Sequence, residues 1–298
     1  QRGLTAPLSP LLPEFPEISM TTVARLKELS RRPRVVLDIK GLLMHSYHSG
    51  KDPEPLRSEE GKPVNTAGYG LQVFIDRYLT QILTGFSPID IIAVWDGGNA
   101  YRKSIYPDYK KHREEAKEKG CKVEQQELQS LLDLAKKFLA NVGAINTYVD
   151  GVEADDVIAL LCEKLECPLM IYTVDADLLK LSSDKVIVSS RDQVSESDTY
   201  EGIPYKYITI YKSLIGDKSD HYGGVKGFGP AAMDKLIDLY DIDVLDDLID
   251  MVENKKFDEL KQCAEDQKCK LLQLIYDSRA DWQVMYKLAQ FHPELCYQ

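Results

Sequence analysis

Three carboxylates fall within four residues in Gly151-Val-Glu-Ala-Asp-Asp156, and behind them Val157, Ile158, Leu160, Leu161 and Leu165 recur at helical spacing. The acids therefore occupy the first turn of an amphipathic helix, with Glu153 and Asp156 on one face and Asp155 on another. Alone, such a turn only complements the helix dipole. The other acids change that reading. Arg34-Val-Val-Leu37, Ile91-Ile-Ala-Val-Trp95 and Leu169-Met-Ile-Tyr-Thr173 read as strands, and they run into Asp38, Asp96 and the pair Asp175 and Asp177. In a parallel α/β sheet these carboxyl ends open on one edge, where ligands bind. Asp217 and Asp220 bring the set to nine. Like charges so crowded need cations between them. All-oxygen donors with no His or Cys nearby select hard ions, Mg2+ or Mn2+ rather than Zn2+. Two such ions suit phosphodiester hydrolysis, where they stabilise the attacking and leaving oxygens.

The chain has a formal net charge of −11, which argues against a general positive field for nucleic acid. Locally the sign reverses. Between Tyr101 and Lys122 lie eight basic and four acidic side chains, interleaved with Tyr101, Tyr106 and Tyr109. Lys110, Arg113 and Lys117 fall at i, i+3 and i+7, one face of a helix, although a solvated charged face would read the same way. Further on, Gly223-Gly-Val-Lys-Gly-Phe-Gly229 precedes Pro230, a favoured first helical residue. Backbone N–H groups at such a helix start form a phosphate site that needs no base contact. Gly227 to Ala232 also fits a loose dinucleotide fingerprint, a weak match because a helix, not a strand, comes before it.

These residues need an α/β scaffold: a central, mostly parallel sheet flanked by helices. The expected organisation is a leader and first helix over 1–33, a metal-binding domain over 34–200 with a basic arch at about 101–122, and a helical region over 201–298. Residues 1–19 are proline-rich with no apolar period, so they suit a poorly ordered leader, and Met20 could be a natural start. At 298 residues the chain can bury a full core. Its six cysteines form no CxxC pair, so they are expected reduced. With no apolar run long enough to span a bilayer and no secretory signal, the protein is expected in the cytoplasm.

Taken together and in order, Tyr109-Lys-Lys-His-Arg113, Gly151-Val-Glu-Ala-Asp-Asp156, Thr173-Val-Asp-Ala-Asp177 and Gly216-Asp-Lys-Ser-Asp220 followed by Gly224-Val-Lys-Gly-Phe-Gly229 resemble the 5′-nuclease, or flap endonuclease, family. That family occurs in bacteriophages and as the N-terminal domain of bacterial DNA polymerase I, and the resemblance runs from about Arg34 to Tyr240. It implies a PIN-like sheet with a helical arch and a helix-three-turn-helix at about 205–240. It also implies that Asp38, Asp96, Glu153, Asp155, Asp156, Asp175, Asp177, Asp217 and Asp220 serve two Mg2+ ions, with Mn2+ substituting. By the same resemblance Tyr109, Lys110 and Arg113 meet the 5′ end and scissile phosphate, Arg102 matches an arginine just after the second metal aspartate, and Lys110, Arg113 and Arg102 are the expected catalytic residues. Tyr109, Lys117, Gly224, Lys226, Gly227, Gly229 and Lys235 then meet DNA, with K+ at the helix-three-turn-helix. The implied activity is structure-specific 5′-3′ exonuclease and flap cleavage in replication or repair, by a monomer acting on flaps, nicks, gaps or RNA/DNA hybrids.

Ile39, His45, Val174 and His221 depart from the family pattern. His45 matters most, since a largely neutral imidazole cannot supply a guanidinium fork to phosphate. Two other readings compete. A PIN-type ribonuclease would lack the helix-three-turn-helix, and a module that holds branched DNA without cutting it would not need the full ligand set.

Overall fold

The computed structural model describes residues 32–190, 193–194 and 199–297. The expected leader and most of the first helix lie outside them. Five parallel strands, β1 (Arg34–Asp38), β2 (Ile91–Val94), β3 (Ile145–Thr147), β4 (Leu169–Thr173) and β5 (Val186–Ser190), form a sheet in the order β3-β2-β1-β4-β5. A short antiparallel strand, β6 (Gln193–Val194), closes the β5 edge.

Period-two alternation divides the sheet's side chains between two cores. Val36, Ile92, Val94, Leu169 and Ile171 pack on one face with α7 (Ala154–Lys164). Val35, Leu37, Ile91 and Ala93 pack on the other with α1 (Ile39–His48), α2 (Ala67–Phe74), α3 (Thr80–Gly85) and α6 (Lys122–Asn141). Burial on both faces is why β1 and β2 read as unbroken apolar runs. Residues 67–85 are helical throughout, with a π-helical stretch, Ile75–Leu79, joining α2 to α3.

Between β2 and β3 come α4 (Ala100–Ile105), the basic helix α5 (Lys111–Lys119) and α6. No residue of α5 is buried. After the sheet, a 3₁₀ turn over Tyr205–Tyr207 leads into α8 (Ile208–Ile215). A glycine-rich turn follows, then α9 (Pro230–Tyr240), α10 (Val244–Glu253), α11 (Phe257–Asp266), α12 (Lys270–Asp277) and α13 (Arg279–Ala289). These helices share a third core around Leu214, Leu236, Leu248, Leu260 and Trp282. All six cysteines are free. Among the described residues no helix is long and apolar enough to cross a membrane.

Candidate active site

The parallel strands deliver their acids to one edge, as the sequence pattern requires. Asp38 ends β1, and its Oδ2 accepts from Thr173 Oγ1 at 2.7 Å. Thr173 ends β4 and also receives the Asp175 N–H at 2.9 Å, so one hydroxyl ties two of the acid-bearing segments together. Asp96 follows β2 and accepts from the N–H of Ala154, the first residue of α7, at 3.1 Å. Gly97 makes this approach possible, because a Cβ there would lie 1.7 Å from the Val149 carbonyl oxygen. Its N–H bonds to Val152 O and its carbonyl receives Gly151 N–H, clamping the exit of β2 to the entry of α7.

Lysines and arginines hold most of the remaining carboxylates. Lys40 Nζ lies 2.5 Å from Asp96. Lys110 Nζ lies 2.5 Å from Glu153 and 3.4 Å from Asp220. Arg113 pairs with Asp220 at 3.2 Å, and Lys212 pairs with both Asp177 and Asp217, the latter at 2.7 Å. Asp217 Oδ1 further accepts from Ser219 N, Ser219 Oγ and Asp220 N, which ties the acidic turn. Burial works against ionisation of Asp96 and Asp217, yet the facing lysines hold both below their ordinary range.

Asp38, Asp155 and Asp175 have no such partner among the described residues. Burial, with Asp175 and Asp96 adjacent, pushes Asp38 up to about 6 despite the Thr173 bond. Burial and the charges of Asp175 and Asp38 push Asp155 well above the carboxylate range, and burial with Asp177 raises Asp175. Among the described residues no three Asp, Glu, His or Cys groups are drawn tightly enough to hold an ion as they stand. The donor set around Asp38, Asp155 and Asp175 is nevertheless all oxygen and short of positive charge, which fits a hard divalent cation.

Several sequence expectations are corrected here. Lys110, Arg113 and Lys117 do not share a helical face: α5 starts at Lys111, and Lys110 sits before it in the left-handed region (φ 54°), its N–H bonded to Asp220 O. Lys110 therefore turns into the acidic edge, while Lys117 is exposed on α5. Tyr109, expected to meet DNA, points inward. It is 1% exposed, and its hydroxyl meets Asp220 at 2.7 Å and Glu153 at 3.1 Å. Arg102 does not face substrate either. It is 4% exposed and forks onto Asp156, at 2.6 and 2.9 Å, with Glu153 at 2.8 Å. Asp156 is fully buried behind Arg102 and orients that fork. Glu153 and Asp156 thus turn to one guanidinium, and Asp155 to the other carboxylates, as their helical spacing implies.

The turn before α9 is built as its glycines suggest. A Cβ on Gly224 would lie 2.1 Å from Leu214 O, and Gly227 adopts φ +85°. Gly229 takes the extended position ahead of Pro230, and Lys226 and Lys235 are exposed beside the turn. Among the departures, His45 Nδ1 lies 2.6 Å from the Tyr78 hydroxyl.

Lys40, Thr173, Gly97 and Lys212 were not singled out from sequence. Lys212 had a signal: it is a lone lysine among Ile208, Ile210, Tyr211 and Leu214, where a buried charge requires a buried partner.

A parallel sheet with its carboxylates gathered at the strand ends is an α/β arrangement of the kind whose ligands bind on that edge. Residues 33–207 match the family described as 5′-3′ exonuclease, N-terminal resolvase-like domain, and the chain belongs to it. It is 33% identical over 196 residues to a 5′-3′ exonuclease of Bacillus subtilis, a match covering 62% of either chain. It is 29% identical over 218 residues to DNA polymerase I of Treponema pallidum, covering 69% of this chain and 20% of the polymerase. The fold is similar to that of the bacteriophage T5 flap endonuclease solved with DNA and metal ions (TM-score 0.62, 20% identity, 89% of this chain and 91% of that one).

Proposed function

We propose that the chain is a divalent-metal-dependent 5′-nuclease that hydrolyses DNA phosphodiesters near 5′ ends and at single-strand/double-strand junctions such as flaps, nicks and gaps. The observation that carries this reading is the uneven charge of the edge. Lysines or arginines meet six of its carboxylates, and only Asp38, Asp155 and Asp175, from three separate segments, lack a cation among the described residues. Those three are the residues that would hold Mg2+ or Mn2+, with Asp96, Glu153, Asp177, Asp217 and Asp220 around them. Bound there, two such ions would supply charge stabilisation to the attacking and leaving oxygens.

The protein's own groups do the rest. Lys110 and Arg113 stand at the rim of the edge, where they can meet a phosphate approaching the metals. Lys226, Lys235 and the Gly227/Gly229 turn offer sequence-independent contacts to duplex backbone, the role expected of a helix-three-turn-helix, with K+ as a possible occupant. Lys117 adds long-range attraction. The test is incubation of the protein with a 5′-flap DNA in Mg2+, in Mn2+ and in EDTA. Cleavage near the junction in the metals alone supports the reading, and an intact substrate in both metals overturns it.

A further inference from the structure

From the last turn of α13 onward the sequence carries no motif, yet this stretch holds the acidic edge through its peptide groups. Leu288 O accepts from Arg102 Nε at 3.2 Å, Gln290 O from Arg102 Nη2 at 2.8 Å and Ala289 O from Lys180 Nζ at 2.7 Å. His292 N–H donates to Asp156 Oδ1 at 2.8 Å. Phe291 covers the Lys180 ammonium, 3.6 Å from the ring centroid. Leu288 and Ala289 also pack against Tyr109. Beyond them Leu295 and Cys296 enter the core that contains α7.

We propose that Leu288–His292 is a positioning strap for the acidic edge. Through Arg102 and Asp156 it fixes Glu153, which anchors Lys110 and Tyr109; through Lys180 it fixes the 3₁₀ turn Ala176–Leu181 that carries Asp177. Arg102 depends on it most. Its fork spends both terminal nitrogens on Asp156, and the two strap carbonyls then set the rotation of the guanidinium plane and with it the height of Glu153. Small displacements of such a constellation cost rate steeply. The strap lies 186 and 188 residues from Arg102 in sequence, so no local pattern records the contact.

This inference rests on the nuclease reading for its activity arm, so the test also carries a readout that needs no cleavage. The backbone donor at 292 is removed by His292→Pro and kept by His292→Ala, while both variants lose the imidazole. Single-turnover cutting of a 5′-flap DNA in Mg2+ is expected to be about tenfold or more slower in the proline variant than in the alanine variant, with similar DNA Kd in Ca2+. In the metal-free, DNA-free protein, the nitrogen-15 signal of Arg102 Nε–H should be protected from exchange in His292→Ala and lose protection in His292→Pro. Phe291→Ala, which leaves every peptide group in place, should give a smaller loss of the same kind and covers the case in which proline prevents folding. Equal rates and equal Arg102 protection across the folded variants would overturn the strap. If the unaltered protein cuts no DNA in Mg2+ or Mn2+, the nuclease reading fails, and the Arg102 signal alone decides whether the strap positions the edge.

Discussion

Replacing Lys110 by alanine should change metal affinity and cutting rate in opposite directions. The Lys110 ammonium lies 2.5 Å from Glu153 and 3.4 Å from Asp220, and those two carboxylates raise its own pKa against the pull of burial. A unit charge pair about 4 Å apart interacts by ~4 kcal/mol at an effective dielectric near 20. Rehydration of the freed carboxylates offsets much of this, leaving ~1–2 kcal/mol of added negative potential, a five- to thirtyfold gain for an incoming divalent ion. The rate should fall for a separate reason. A donor aimed at charge that develops in the transition state is worth ~2.7–4 kcal/mol, so single-turnover cutting should drop by roughly a hundredfold or more.

The assay pairs Mn2+ binding to the DNA-free protein with single-turnover cleavage of a 5′-flap DNA and Kd in Ca2+. Tighter Mn2+, slow cutting and a nearly unchanged Kd are expected. Lys110→Gly controls for the backbone, since glycine relieves the left-handed strain at φ 54° by ~1 kcal/mol while still removing the charge. A near-normal rate in both variants, or weaker Mn2+ binding in Lys110→Ala, would refute the reasoning and return this residue to a purely structural role.

Asp155→Asn should abolish cleavage and raise the metal-free melting temperature, because it removes a like charge from beside Asp38 and Asp175; normal cutting in Mg2+ would contradict both halves. The metal-free protein should lose stability as pH rises from about 4 through 6. Asp38 is raised to about 6, so the fold keeps a proton that the unfolded chain has already released, and Mg2+ should reverse the trend while displacing that proton. Calorimetry of Mg2+ binding in two buffers of different ionisation enthalpy checks this, and an absence of proton release near pH 6 counts against it. Lys226→Ala should weaken duplex binding evenly across sequences and lower the salt slope by about one, whereas a changed sequence preference at an unaltered slope would remove it from backbone contact.

The sheet and its acids were legible because their signals are local: an apolar run of strand length ending in a carboxylate records both the strand and its loaded end. Period 3.6 behind Asp155 likewise separated it from Glu153 and Asp156, and the structure keeps that separation. What periodicity could not give was the direction of a side chain outside a regular element. Lys110 satisfies a helical spacing with Arg113 and Lys117, but its N–H bonds across the chain to Asp220, and this long-range bond sets its conformation. Arg102 and Tyr109 are buried for a related reason: distant carboxylates supply their partners, and no local pattern records those contacts.

Nine crowded carboxylates need cations between them, and the structure divides that requirement into two parts. Five basic side chains, Lys40, Arg102, Lys110, Arg113 and Lys212, pair directly with carboxylates of the edge. Against nine carboxylates they leave four negative charges unmatched, the charge of two divalent ions. Three of those charges belong to Asp38, Asp155 and Asp175, where burial and the neighbouring carboxylates work against ionisation. A divalent ion placed among those three would supply the missing positive charge without breaking the lysine pairs. Under the proposed reading the lysines would leave that part of the edge to the ions, since each carboxylate they hold is one the ions need not neutralise.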